Sequence, residues 1–362
     1  MDQAARAVHF VLGNLHSHWA DIASLGEADI AKTPRRFVAG RNSWIAQGYV
    51  RLGPELRRRG WRVTVGDRFV PDAICLVHRD DANDFSSGSA AGLLVVVRAD
   101  RAPVAACDIA IVQNGIANRE GERHIPLWPQ PGLVARDPSR GSRILRVAYH
   151  GRTGSAPAWF TDRAFLRAMA RRGMQFAVET RRWEDYSAVD VAVAAREESP
   201  SLLATKPATK VYNAWLAGVP LLAAPEPAYV ELRRSSLDFI EIGNAADVLR
   251  AVDALRADPA LYEAMAASGR ERGREYSVDA IRARWLAFLE DEAAPAFAGR
   301  GPAAARPLWH LRTMAAQKVL SRSHRMRVAG ERLKLAWPPE PWRPAAAPSV
   351  QRARDDLADV SG

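Results

Sequence analysis

Cysteine is nearly absent from this chain: of 362 residues only Cys75 and Cys107 carry thiols. Two cysteines cannot build a disulfide framework. Both lie in apolar, strand-like contexts, "DAICLVH" and "VAACDIAIV", where a thiol acts as a small buried hydrophobe. Cysteine and histidine at zinc-ligand spacing are missing as well, which excludes a zinc module. No run of about eighteen apolar residues occurs, so no membrane-spanning helix is expected. The opening "MDQAARAVHFVLGNLHSHWAD" has no apolar core followed by a small-residue cleavage site. The expected location is the cytoplasm.

What is present is globular material, 48% hydrophobic and 25% charged, long enough for two domains and a tail. A net charge of +10 predicts an acidic partner: nucleotide phosphates, an anionic membrane face or nucleic acid. That charge is unevenly spread. Residues 296–362 hold 12 Lys and Arg against 5 Asp and Glu, which is +7 of the total, so the body is close to neutral.

Apolar periodicity divides the body in two. "VHFVLGNL", a segment from Trp61, "DAICLVH", "GLLVVVRAD" and "CDIAIVQNG" read as short buried parallel strands. Between the first two, after a loop at Gly40, a helix is predicted from Ser43 as N-cap to Arg59, stopped by Gly60. Residues 124–143 concentrate Pro, Gly and Arg as an interdomain linker does. The alternation then restarts with strands at 144–150, "MQFAVET", "AVDVAVAAR", "VPLLAAP" and "DFIEI". Helices are predicted at 161–172, 208–217, 227–235, 245–256, 259–273 and, with Ser277 as N-cap, 277–290. The pattern is that of two α/β domains, 1–135 and 136–295, facing across a cleft, and a tail at 296–362. Ligands of open parallel sheets bind at the carboxyl ends of strands.

The stretch "TKPATKVYNAWLAGVPLLAAPE" (205–226) sets Lys206 and Lys210 at a helix start, where the dipole attracts anions. Pro207 suits a first helical turn, and Asn213 shares a helix face with Thr209 and Lys210. Gly218 and Pro220 end the helix. Glu226 follows the next strand, positioned to accept hydrogen bonds from a ribose or sugar hydroxyl. A second candidate phosphate loop is "HGRTGSAP", in which Gly151, Arg152 and Thr153 follow a strand; an ordinary βα turn looks the same.

These residues resemble the donor-binding region of bacterial glycosyltransferases with the two-Rossmann (GT-B) fold, the family 1-like enzymes of polysaccharide clusters. The resemblance extends through "GRNSWIAQGYVRL" and "IPLWPQPGLVARDPSRG" to most of residues 37–290. Thr209-Lys210-x-x-Asn213-Ala214 with Ala217-Gly218-Val219-Pro220 is also similar to the α-1,3-fucosyltransferase donor signature, with Thr209 where that family has Glu. The glutamate pair of the retaining family 4 enzymes is replaced by Thr205 and Asn213. The resemblance implies two Rossmann-like domains and transfer from a nucleotide-sugar donor to a glycan or lipid-linked acceptor, with no metal or other cofactor. With it, Lys206, Thr209, Lys210 and Asn213 are expected to bind donor, and Glu226, Gly151, Arg152 and Thr153 join them as candidates from their places after strands.

An inverting enzyme needs a base on the acceptor side. His18 and Asp21 follow the first strand, with His16 beside them, and His78 and Asp80 follow "ICLV". Either set can act as base and either can be surface polarity. Asn42 and Ser43 are candidate acceptor-side residues. In the tail, Leu308, Leu311, Ala315, Val319, Met326 and Leu333 form a stripe on a basic helix. Such a helix over 306–334 either lies on an anionic membrane or packs back on the N-terminal domain. The end, 338–362, reads as disordered. No nucleic-acid-binding fold accompanies the charge. A non-catalytic sugar- or nucleotide-binding relative is the alternative.

Overall fold

The computed structural model describes residues 6–38, 42–82, 92–115, 121–300 and 307–333, with the backbone alone at 307–312 and 314. The Gly40 loop, the side chains of Leu308 and Leu311, and the end read as disordered lie outside the described residues. The chain forms two compact units. Of the described residues, the first gathers those up to Gly132, Thr205–Pro207 and those from Val278 to Leu333; the second holds Leu133–Ala204 and Ala208–Ser277.

The strands are β1 (Ala7–Val11), β2 (Arg62–Gly66), β3 (Ile74–His78), β4 (Leu93–Val97), β5 (Ile109–Val112) and β6 (Glu122–His124) in the first unit. In the second they are β7 (Arg146–His150), β8 (Gln175–Glu179), β9 (Val191–Ala194), β10 (Leu221–Ala223) and β11 (Ile240–Glu241). The main helices are α1 (Ser43–Arg58), α2 (Arg163–Arg171), α3 (Thr209–Leu216), α4 (Pro227–Leu232), α5 (Ala245–Ala257), α6 (Pro259–Arg274), α7 (Val278–Ala287) and α8 (Pro307–Arg332). Every pairing between these strands is parallel. The orders are β2-β1-β3-β4-β5-β6 and β11-β10-β9-β7-β8, so both sheets are doubly wound, with the second strand of each outside the first. The expected α/β class holds for both units.

The first unit's core joins Val8 and Phe10 of β1 and Ile74 and Leu76 of β3 to Ile45, Leu52 and Leu56 of α1. It also contains Ile281, Trp285 and Leu286 of α7, and Phe288 and Leu289 of the π-turn that continues it. The helix predicted at 277–290, assigned from sequence to residues 136–295, therefore packs in the first unit, because its apolar side fits α1 and not the second sheet. β6, "ERH", was not expected, since its three residues carry no apolar signal.

In the second unit Val147, Val191, Val193 and Leu222 pack under α2, α5 and α6 on one face. On the other face, Val211, Tyr212 and Trp215 of α3 cover Ala148, Ala192 and Ala223. The linker read from composition is fastened here from its second half onward. The buried carboxylate of Asp190 takes Arg136 at 2.8 Å, Arg140 twice at 2.7 Å, and the backbone N–H groups of Leu145 and Arg146 at 2.8 and 2.9 Å. Two cap readings shift. Asn42, not Ser43, occupies the cap position of α1. Pro207 lies before α3, whose cap position is Ala208. Gly218 ends α3 with φ +70°, a left-handed conformation that glycine adopts without a Cβ penalty.

Candidate functional site

In the second unit the sheet order reverses between β7 and β9, and ligands of such sheets sit outside the carboxyl ends at that point. Three of its strands end in charged or flexible residues here. Gly151, Arg152 and Thr153 follow β7, Arg196 follows β9 and Glu226 follows β10, where it stands at the cap position of α4.

Lys210, the second residue of α3, holds its Nζ 3.8 Å from the centroid of the Tyr149 ring, a cation–π contact at the end of β7. A Cβ on Gly151 would come within 2.8 Å of both that Nζ and the Tyr149 hydroxyl. Glycine there leaves the room the ammonium occupies. Burial pushes the Tyr149 phenol up to about 12, partly offset by Arg196, so the ring faces the lysine as a neutral group.

Beside it, Arg196 and Glu226 form an ion pair in which both side chains are nearly sealed from solvent. The Arg196 guanidinium lies 5.5 Å from the Tyr229 ring centroid. Glu226 Oε1 and the Tyr229 hydroxyl are buried, and the carboxylate and phenol interact with each other without a well-formed hydrogen bond. A carboxylate and a phenol at a sheet's carboxyl edge offer an acceptor and a donor that suit hydroxyl groups of a bound molecule. Arg196, Tyr149 and Tyr229 were not found from sequence. The one available signal was an arginine directly after the apolar strand "VAVAA".

Of the other predicted donor residues, Asn213 is buried on α3 and Thr209 is half-buried at the helix start. Arg152 and Thr153 are exposed. Lys206 is held differently. With Thr205 and Pro207 it belongs to the first unit, where its Nζ lies 3.2 Å from Asp100 Oδ2. Burial would raise the Asp100 carboxyl, yet Lys206 and Arg101 hold it below its ordinary range.

The first unit's sheet reverses between β1 and β3. Just beyond these strands, the Gly13 N–H donates to Asp81 Oδ2 at 2.9 Å, and Asn42 Nδ2 donates to Asn14 Oδ1 at 2.6 Å. His78 ends β3 and is 2% exposed, with the Trp44 ring centroid 5.7 Å away. The Asp80 N–H donates to its Nδ1 at 3.2 Å, which puts the neutral ring's proton on Nε2. Arg101 Nε binds both carboxylate oxygens of Asp80 at 3.0 Å. Burial pushes His78 down to about 4 against the pull of Asp80, so it is neutral at physiological pH and a weak base.

His18 and Asp21 sit on an exposed stretch. Arg36 grips both Asp21 oxygens, one of them at 2.8 Å, and also takes the His18 carbonyl at 2.7 Å while lying 4.8 Å from the Trp19 ring centroid. Its hydrogen bonds hold the Asp21 carboxyl below the usual range. A carboxylate so engaged is a poor proton acceptor, and this pair reads as local structure.

The buried His78 gives a pH prediction. Its folded value near 4 lies below the ordinary 6.5, so between those limits the unfolded chain binds more protons. The stability it contributes is complete above about pH 6.5 and is lost as pH falls to 4, by about 3 kcal/mol at 1.36 kcal/mol per unit. Urea unfolding across that window should show the loss in the wild type and a shallower slope in His78→Gln. Equal slopes would refute it.

No protein-family model matches the chain, and no curated protein matches it. Solved structures resemble it at low identity. HepE of Anabaena in complex with UDP is 12% identical at a TM-score of 0.46, covering 79% of this chain and 99% of that one. AviGT4, a glycosyltransferase involved in avilamycin A biosynthesis, is 14% identical at 0.45, covering 80% and 98%. A glycosyltransferase from Rickettsia africae is 9% identical at 0.42, covering 82% and 99%.

Proposed function

We propose that this chain is a nucleotide-sugar-dependent glycosyltransferase that moves a sugar from the donor to a glycan or lipid-linked acceptor in cell-surface polysaccharide synthesis. The observation that carries the reading is the Lys210 ammonium, held over Tyr149 and against Gly151 at the carboxyl edge of the second sheet's reversal point. A donor diphosphate gains negative charge as its glycosidic bond breaks, and a fixed cation beside a helix start stabilises that charge. Glu226 Oε1 and the Tyr229 hydroxyl supply an acceptor and a donor for ribose or sugar hydroxyls. In this reading the cation at the diphosphate is Lys210, with no metal needed, and Arg152 is the mobile second charge. On the acceptor side His78 with Asp80 and His18 with Asp21 both stay candidates, because Arg101 holds Asp80 as Arg36 holds Asp21.

Calorimetric titration with UDP, GDP and their sugars tests the reading. One nucleotide should bind in the micromolar range, and Lys210→Ala should weaken it roughly tenfold or more, about 1.4 kcal/mol. Failure of every nucleotide to bind would sink the proposal. The alternative, a non-catalytic binding protein, is favoured by Thr205 and Asn213 where retaining enzymes carry glutamates. It predicts binding with neither transfer nor donor hydrolysis.

A further inference from the structure

The tail helix α8 docks on the first unit through one buried polar side chain. Gln317 is 3% exposed; its Oε1 accepts from the Ala105 N–H at 2.7 Å, and its Nε2 donates to Pro103 O at 3.1 Å and Ser321 Oγ at 2.8 Å. Those bonds fix which side of the helix faces the protein. Thr313, Leu320, His324 and Val328, on the same side as Gln317, are partly covered.

The opposite side carries three exposed apolar side chains, although Gly330 between them is buried. Val319, Met326 and Leu333 are 70%, 54% and 71% exposed, three of the six large hydrophobics most open to solvent among the described residues. They recur every seven residues, so they drift by only about 20° per step and make one stripe. At 3.6 residues per turn Val319 lies about 200° from Gln317. The exposed cations Lys318, Arg322 and Arg325 line one edge of that stripe. Along its 26 residues the helix carries six Lys and Arg against one Glu.

We infer that α8 is a membrane-docking element: held to the first unit by Gln317, it lays Val319, Met326 and Leu333 into the surface of an anionic bilayer, with Lys318, Arg322 and Arg325 at the headgroups. An apolar stripe flanked by basic side chains is the arrangement that buries apolar area in the acyl boundary while long cationic stems reach the phosphates. A heptad stripe also serves as a seam between two copies of a helix. The net charge of +5 on each copy opposes that pairing and favours a negative surface. The inference stands apart from the donor reading, because none of these residues belongs to that site.

The test is co-sedimentation of the full chain with vesicles of phosphatidylcholine alone or mixed with phosphatidylglycerol. Binding is expected only to the mixed vesicles and should weaken as salt rises. Lys318→Ala with Arg322→Ala should lower it roughly thirtyfold, and Val319→Glu with Met326→Glu at least tenfold. All four positions are exposed, and an unchanged thermal midpoint confirms the fold. Nucleotide affinity of the variants should equal wild type, which separates this test from the donor reading. Equal binding to both vesicle types, retention by the glutamate variant, or no binding to either would overturn the inference. So would a wild-type dimer in sedimentation velocity that the glutamate variant splits, since the stripe would then be a seam between copies.

Discussion

Replacing Asp190 by alanine is expected to lower the unfolding free energy by about 3–5 kcal/mol, the cost of stripping a buried charge of its partner. The carboxylate is fully buried and closes six hydrogen bonds to two arginines and two backbone N–H groups. Removing it strands Arg136, itself nearly buried, and leaves the N–H groups of Leu145 and Arg146 unpaired at the start of β7. Urea denaturation should show the midpoint falling sharply with the slope unchanged. Asp190→Asn should lie between, since its amide still accepts but carries no charge. A loss below about 1 kcal/mol, the range of an exposed pair, would mean that the segment from Val134 to Arg143 is not held as described.

The second large effect concerns Arg196 and Glu226. Glu226→Ala leaves a buried guanidinium without its counter-ion and should also cost about 3–5 kcal/mol. Stability alone cannot say whether the pair serves ligand or fold, so the informative protein is the double variant Arg196→Met with Glu226→Leu. Exchanging a buried ion pair for apolar side chains of similar volume is often neutral or better, and most of the stability should return. Nucleotide affinity should not, because the Glu226 carboxylate at the strand edge is gone. A double variant that binds nucleotide like wild type would make the pair purely structural and remove Glu226 from the proposed site.

Much of the architecture was readable from local pattern. Runs such as "RVAYH", "VAVA" and "LLVVV" are too short and apolar for anything but buried strands, and Gly60 and Gly173 mark helix ends where the chain turns left-handed. Lys210, Gly151 and Glu226 were also nameable, since each sits at a strand end or helix start that the pattern itself delimits. What could not be read is pairing across long separations. Nothing near Lys206 announces Asp100, more than a hundred residues earlier. Nothing near Asp21 announces that Arg36 will close on it. Arg196 looked like any arginine after a strand until β10 and α4 brought Glu226 and Tyr229 to it. Burial decides these cases, and burial is a property of the folded sheet.

The return of the chain at Val278 bears on how the protein is made. The first unit's core needs Ile281, Trp285, Leu286, Phe288 and Leu289, which are synthesised only after the whole of β7–β11. During translation the earliest strands therefore emerge with one flank of their core open, while the described residues of the second unit are complete by Ser277. Since domains form as units during synthesis, the later-encoded sheet is the one that can close first, and the amino-terminal half waits for the ribosome to finish α7. A stalled or truncated product ending near residue 277 would present the side of α1 that α7 covers and be a natural client for chaperones.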